Sequence, residues 1–157
     1  MHANEELIAR FYTAFQKRDG KGMVACYHPQ VEFYDPVFQE LQGDRAKAMW
    51  LMLCERAKDL SIEFSKVHAD NTVGQAHWDA WYLFSATGRT VHNIIDARFE
   101  FEDGLIRKHT DTFDFHRWAG QALGLSGKLL GGTSFMQNKI RKTALGGLDL
   151  YMKKAGG

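Results

Sequence analysis

Apolar residues recur at helical spacing through the first third of the chain and at every second position through the middle. Leu7, Ile8, Phe11 and Phe15 fall on one helical stripe, with Asn4 placed to cap it, Glu5 and Glu6 in its positive first turn, and Asp19-Gly20 to stop it. A shorter helix is predicted from Lys21 to Tyr27, broken by His28-Pro29. Val31, Phe33 and Asp35 then alternate with Glu32 and Tyr34 as a short strand closed by Pro36. Gly43-Asp44 opens a third helix, along which Ala46, Met49, Trp50, Leu53 and Ala57 repeat. Beyond Leu60 the period falls to two. Strands are predicted at about 61–69, 73–86, 90–102 and 105–115, separated by turns at Asp70-Asn71, Thr87-Gly88 and Asp103-Gly104. Helices followed by a meander of long antiparallel strands predict an α+β fold, with the helices covering one face of a strongly curved sheet.

Residues 117–157 read differently from residues 1–116. They carry seven basic residues against one acid, Asp149, although the whole chain has a net charge of only +1; residues 1–116 are therefore acidic, near −5. Met136, Ile140, Ala144, Leu148 and Met152 form an apolar stripe, punctuated by Gly124, Gly127, Gly131-Gly132 and Gly146-Gly147. This predicts two or three helical pieces that pack on their own domain or on a dimer mate, near the open end of the sheet. A basic amphipathic helix lying on an anionic membrane is the competing reading.

The length of 157 residues suits one domain, and 45% hydrophobic with 25% charged residues is ordinary globular composition. A balanced charge removes any general attraction to nucleic acid. No apolar run is long enough for a membrane span. The start, MHANEELIARFYTAF, lacks the basic and apolar segments expected of a signal peptide. Cys26 and Cys54 fall among apolar helical neighbours and are expected to be reduced and buried, from which a cytoplasmic location is expected.

Strand parity selects the candidate chemistry, because alternate residues share a face. His92, Ile94, Asp96, Arg98 and Glu100 form one row; Arg107, His109, Asp111, Phe113 and Phe115 form another. The hairpin at Asp103-Gly104 makes the two strands neighbours, which brings Asp96, Arg98, His109 and Asp111 together if both rows face the same way. The plain alternatives are a solvated sheet face or a buried Asp–Arg–His network that only ties two strands together. Trp78, Tyr82 and Phe84 share the drier face of their strand with Ala76, Ala80 and Ala86, and should meet the helices. Trp81 and Leu83 point the other way, and a homodimer through that face would cover them. His109-x-Asp111 and His77-x-Asp79 have a spacing that metal ligands can use, but it is weak evidence, and neither a metal nor a cofactor is expected. Phosphate loops, dinucleotide fingerprints and nucleophile elbows are absent from the sequence.

Two segments carry a resemblance to a known family. "YHPQVEFYDPVF" resembles the ketosteroid isomerase segment in which a catalytic aspartate precedes proline, which places Asp35 in that role. "IIDARFEFEDGLI" resembles the strand carrying that family's second acid eight residues before a hairpin glycine, here Asp96 before Gly104. His109, Asp111 and Phe113 match positions that face the family's pocket. The similarity spans roughly residues 5–115. With "DTFDFHRW" and the basic tail, the whole chain more closely resembles the SnoaL-like, ketosteroid isomerase-related group of the nuclear transport factor 2-like superfamily. Phe11 stands where the isomerases have their oxyanion tyrosine, and Tyr12 should point elsewhere. A tyrosine-plus-acid oxyanion hole is therefore not expected, nor is steroid isomerisation.

The resemblance implies a cone-shaped domain that holds a small, mostly apolar molecule. Asp35 would be the general base, Asp96 or Asp111 the acid, and His109 an orienting or shuttling group. Phe11, Trp50, Trp78, Tyr82, Arg98 and Phe113 would form the ligand-binding wall. Isomerase, cyclase and epoxide hydrolase chemistry all fit two carboxylates of different acidity. A non-catalytic carrier and a protein-interaction module are the other expectations that fold alone leaves open.

Overall fold

The computed structural model describes residues 1–156. Helices α1 (Ala3–Gln16) and α2 (Gly20–Val24) lead to strands β1 (Tyr27–Asp35) and β2 (Gln39–Gln42). Helix α3 (Asp44–Arg56) precedes four longer or comparable strands: β3 (Lys58–Ala69), β4 (Val73–Phe84), β5 (Arg89–Glu102) and β6 (Leu105–Thr112). Three further helices follow: α4 (Phe115–Leu123), α5 (Leu125–Leu130) and α6 (Ser134–Gly156). The strands form one sheet in the order β2-β1-β6-β5-β4-β3, antiparallel throughout except where β1 lies parallel to β6. This is the α+β class that the change of period predicts.

The core lies between that sheet and its helices. Helix α1 contributes Leu7, Ile8, Phe11, Tyr12 and Phe15, and α3 contributes Met49 and Trp50. Phe33, Trp78, Ile95, Ala97, Phe99 and Ile106 meet them from the strands. Burial of each large apolar side chain contributes about 1.5–3 kcal/mol, so these contacts hold the sheet and helices in register.

Several boundaries differ from the sequence expectation for local reasons. His2, not Asn4, caps α1: its Nδ1 accepts from the Asn4 amide at 3.0 Å, and Glu5 closes the capping box by accepting from the His2 amide at 2.9 Å. Asn4 instead donates from its side chain to the carbonyl of Asp70 at 3.0 Å. The second helix ends at Val24, and β1 begins at Tyr27 rather than Val31. An irregularity between Tyr27 and Glu32 lets the strand accommodate Pro29. The short β2 is a strand the alternation did not announce.

One bulge has larger consequences. Near its turn, the β5–β6 hairpin pairs Glu102 with Leu105 and Phe101 with Ile106. Continued unbroken, that register would set Asp96 opposite Asp111 and Arg98 opposite His109. Arg107 is an extra residue, however, and Glu100 pairs with Lys108. The register is displaced by one from there on, so Asp96 faces Thr112, Arg98 faces Thr110, and Ala97 faces Asp111. A one-residue slip carries a strand's alternate positions to the opposite face. The expected grouping of Asp96 and Arg98 with His109 and Asp111 is therefore corrected: the first two lie exposed on the outer face and the second two are buried on the inner one.

The C-terminal helices fold back onto the chain. Asp114 caps α4 by accepting from the Arg117 amide at 3.0 Å. α5 packs so closely on α4 that a Cβ at Gly127 would collide with the carbonyl of Ala119. α6 lies against α3, with Arg45 donating to Asp149 at 2.6 Å, Tyr151 donating to Glu55 at 2.7 Å and Leu148 fully buried. Among the described residues, no helix is long and apolar enough to cross a membrane.

Candidate active site

The inner face of the sheet, α3, and the first turns of α4 line a partly open cavity of about 160 Å³. Its walls are mostly apolar: Phe15 from α1, Met49, Trp50 and Leu53 from α3, Trp78 and Ala80 from β4, Ile95 from β5, and Phe113 and Trp118 at the other end. Four polar side chains reach it: Asp35, Asp111, Tyr82 and Asn93. An engineered apolar cavity of about 150 Å³ holds one benzene molecule, so this volume suits a single ring with small substituents. A second, larger apolar chamber of about 470 Å³ lies next to it, under α6, and shares Val37, Phe38 and Trp118 with the first.

The parallel pairing of β1 with β6 sets Phe33 beside His109 and Tyr34 beside Thr110, which brings the next inward positions, Asp35 and Asp111, to the same level. The two acids sit in different surroundings. Asp111 is 2% exposed and receives N–H bonds on Oδ1 from His109 Nε2 at 2.8 Å and from Trp78 Nε1 at 3.4 Å. Asp35 receives only backbone N–H bonds on Oδ1, from Val37 at 2.9 Å and Phe38 at 2.6 Å, at the turn that follows β1. Burial pushes its carboxyl up to about 7, and the charge of Asp111 adds to the rise against the pull of the backbone amides of Phe38, Val37 and Gln39.

Behind Asp111 runs a hydrogen-bonded chain. Trp50 Nε1 donates to the Tyr27 hydroxyl at 2.8 Å. That hydroxyl lies 2.6 Å from His109 Nδ1. With the Tyr27 proton on Nδ1's lone pair, His109 carries its own proton on Nε2 and donates it to Asp111, so every member is satisfied. His109 is fully buried, stacked on Trp50 and edge-on to Phe11 and Phe33, and does not line the cavity. Its place in the structure is to hold Asp111, at one remove from any ligand. Phe11 likewise lies behind the wall, stacked on Tyr27. Tyr12, expected to point elsewhere, is buried too, and its hydroxyl has no hydrogen-bond partner among the described residues.

Trp50, Trp78, Tyr82 and Phe113 do line the cavity. The Tyr82 oxygen accepts from Trp118 Nε1 at 2.7 Å, and burial pushes the phenol up to about 12. Asp96 and Arg98 are elsewhere. Asp96, its side chain 80% exposed, accepts from His77 at 2.8 Å on the outer face, in a row completed by Asp79 and His92.

Trp118, Val37, Phe38 and Asn93 were not among the residues selected by sequence. Asn93 had a visible signal: it is the one polar residue in the otherwise apolar row Val91, Ile95, Ala97 and Phe99. Trp118 had none, because a helix after the last strand can close the cone only once the chain is folded.

As for metal ligands, both ring nitrogens of His77 and of His109 are engaged by neighbouring side chains. His28, Glu102 and Asp103 approach one another at the exposed end of the β5–β6 hairpin, remote from the cavity. Burial raises both cysteine thiols, Cys54 to about 11, which is the opposite of what a nucleophilic thiolate requires.

This fold and cavity define a cone-type α+β domain with an acid pair on its floor. The SnoaL-like domain family matches residues 8–109, well over half of the chain, and the protein belongs to that family. No functionally curated protein matches the sequence. Solved structures share the fold at low identity. An LEH-like epoxide hydrolase from M. tuberculosis is 18% identical, with a TM-score of 0.65 over 82% of this chain and 96% of that one. A protein provisionally assigned as a polyketide cyclase from Pseudomonas putida is 22% identical, with a TM-score of 0.62 over 77% and 98%. A protein of ketosteroid isomerase-like fold from Catenulispora acidiphila, solved with trimethylamine, is 8% identical, with a TM-score of 0.67 over 78% and 95%.

Proposed function

We propose that the cone binds a small, mostly apolar molecule of about one ring and moves a proton on it, with Asp35 as the acid–base group and Asp111 as a fixed acceptor beside it. The observation that carries this reading is the inequality of the two neighbouring carboxyls. Asp111 is held by two side-chain N–H donors, His109 and Trp78, whereas Asp35 accepts from backbone amides only and is pushed up to about 7 by burial in a largely apolar cavity. A group that titrates near neutrality can both take and return a proton, as isomerase, cyclase and epoxide-opening reactions all require. The likeness to a cyclase and an epoxide hydrolase supports the reaction class and leaves the substrate open.

Proton exchange tests this without the natural substrate. The α-hydrogens of cyclohexanone in D₂O, followed by NMR, should exchange faster with the protein, and Asp35→Asn should lower that catalysed rate by about 10²–10⁴. Binding without exchange in the wild type would assign a carrier instead. The reading further includes a homodimer through the outer face of β4 and β5, where Trp81 stacks on His92 at 4.4 Å between ring centres. Light scattering at twice 17.9 kDa checks it. A cytoplasmic location completes the reading, supported by two free buried cysteines.

A further inference from the structure

Asn93 belongs to the inner row of β5 and is only 8% exposed, yet among the described residues its side-chain amide has no hydrogen-bond partner and it lines the cavity. Its amide offers two donors and an acceptor that open onto the cavity, where a ligand can meet them. An Asn kept for structure would spend those groups on its neighbours. Here its cross-strand partner is Ala80, whose methyl leaves the space in front of the amide open. The hydroxyl of Tyr82 lies on the same face of β4, two residues along from Ala80, and its oxygen already accepts from Trp118, so its own proton is free to point into the cavity. Asn93 and Tyr82 thus form a second polar pole, on β4 and β5, separate from the acids on β1 and β6.

We propose that Asn93 selects the ligand: its amide hydrogen-bonds an oxygen-bearing group, a hydroxyl or a carbonyl, on the one-ring molecule held between the two poles. The assignment rests on the proposed binding function and adds to it the chemical class of the ligand and the residue that reads it. It also explains why an otherwise apolar row tolerates an amide. A site built to hydrogen-bond a ligand oxygen discriminates strongly against the analogue that lacks it, because the buried polar group is then left unpaired.

Phenol and toluene fill nearly the same volume and differ in one hydroxyl, so they serve as probes. Titrated into the full chain and followed by NMR, phenol should bind the wild type about tenfold or more tighter than toluene. Asn93→Leu should abolish or invert that preference while toluene still binds, which also shows that the variant is folded. If the leucine variant does not fold, Asn93→Ser, which keeps a small polar side chain but cannot reach as far, should give the same loss. A wild type that binds both probes equally, or a variant that keeps the full preference for phenol, overturns the role of Asn93 and leaves the cavity reading standing. If neither probe binds the wild type at millimolar concentration, both the role and the proposed binding function fall.

Discussion

Two clusters of aspartate and histidine lie on opposite faces of the same sheet, and they behave as different materials. On the outer face, His77 bridges Asp79 and Asp96 at 2.9 and 2.8 Å, and His92 meets the other oxygen of Asp79 at 2.7 Å. Within one protomer those groups satisfy one another at the surface, where water and salt screen them wherever a dimer mate does not cover the face. On the inner face, His109 and Asp111 are 0% and 2% exposed, bond to each other, and find their other side-chain partners in Tyr27 and Trp78, with Trp50 donating to Tyr27 behind them. Identical residue types are thus a surface ornament in one place and an organised site in the other. What differs is the solvent, not the side chains. Low polarity around Asp35 raises its carboxyl, whereas Asp96 stands with its side chain 80% exposed.

The contrast can be broken most directly at the histidines. His109→Ala would strip a partner from Asp111 and from the Tyr27 hydroxyl and open space beside Trp50, at a cost of about 3–5 kcal/mol. A domain of this size loses roughly 2–4 °C of melting temperature per kcal/mol, so calorimetry should show a fall on the order of 10 °C. His77→Ala should cost about 1 kcal/mol or less. Equal losses for the two variants would mean that the faces are not energetically distinct.

A second, smaller effect follows from Asp35. Its folded-state value of about 7 lies above that of the unfolded chain, so the folded protein keeps a proton that the unfolded one has released. Its contribution to stability is therefore complete below about pH 4 and is lost as pH rises through 7. Asp35→Asn removes this dependence. The melting temperature of the variant should match the wild type near pH 4 and exceed it by roughly 5–10 °C at pH 8. A pH-independent difference between the two proteins would place Asp35 in contact with water.

The smallest effect sharpens the comparison from the other side. Asp96→Asn lies on the screened face and should change stability by about 0.5 kcal/mol or less, leaving cyclohexanone exchange at the wild-type rate. Loss of exchange in that variant would put Asp96 back among the catalytic acids and refute the inner-face assignment.

Much of this architecture was legible along the chain. The helical stripe Leu7, Ile8, Phe11, Phe15, the shift to period two after Leu60, and the turn at Asp103-Gly104 all appear in the structure where the pattern puts them, because each depends on neighbours within a few residues. Asp35 was legible as well, through the proline after it. The partners of Asp35 were harder. Reading the β5–β6 hairpin as continuous selected Asp96 and Arg98, and a single extra residue at Arg107 moved both to the far side of the sheet. Nothing local marks Arg107 as a bulge; it is decided by which faces of two long strands find apolar cover.

Local sequence, then, determined the elements, their order and the pool of acids, since hydrophobic period and turn chemistry act over a few residues. Tertiary structure alone decided which acids became neighbours. The parallel pairing of β1 with β6 joins residues about 76 apart in sequence, Phe33 with His109, and so sets Asp35 beside Asp111. Closure of the cavity by Trp118 and the exposure of Asn93 to an unfilled space are likewise properties of the packed cone. Partial burial in an apolar cavity is what pushes the Asp35 carboxyl up to about 7, and that cavity exists only once distant segments have met.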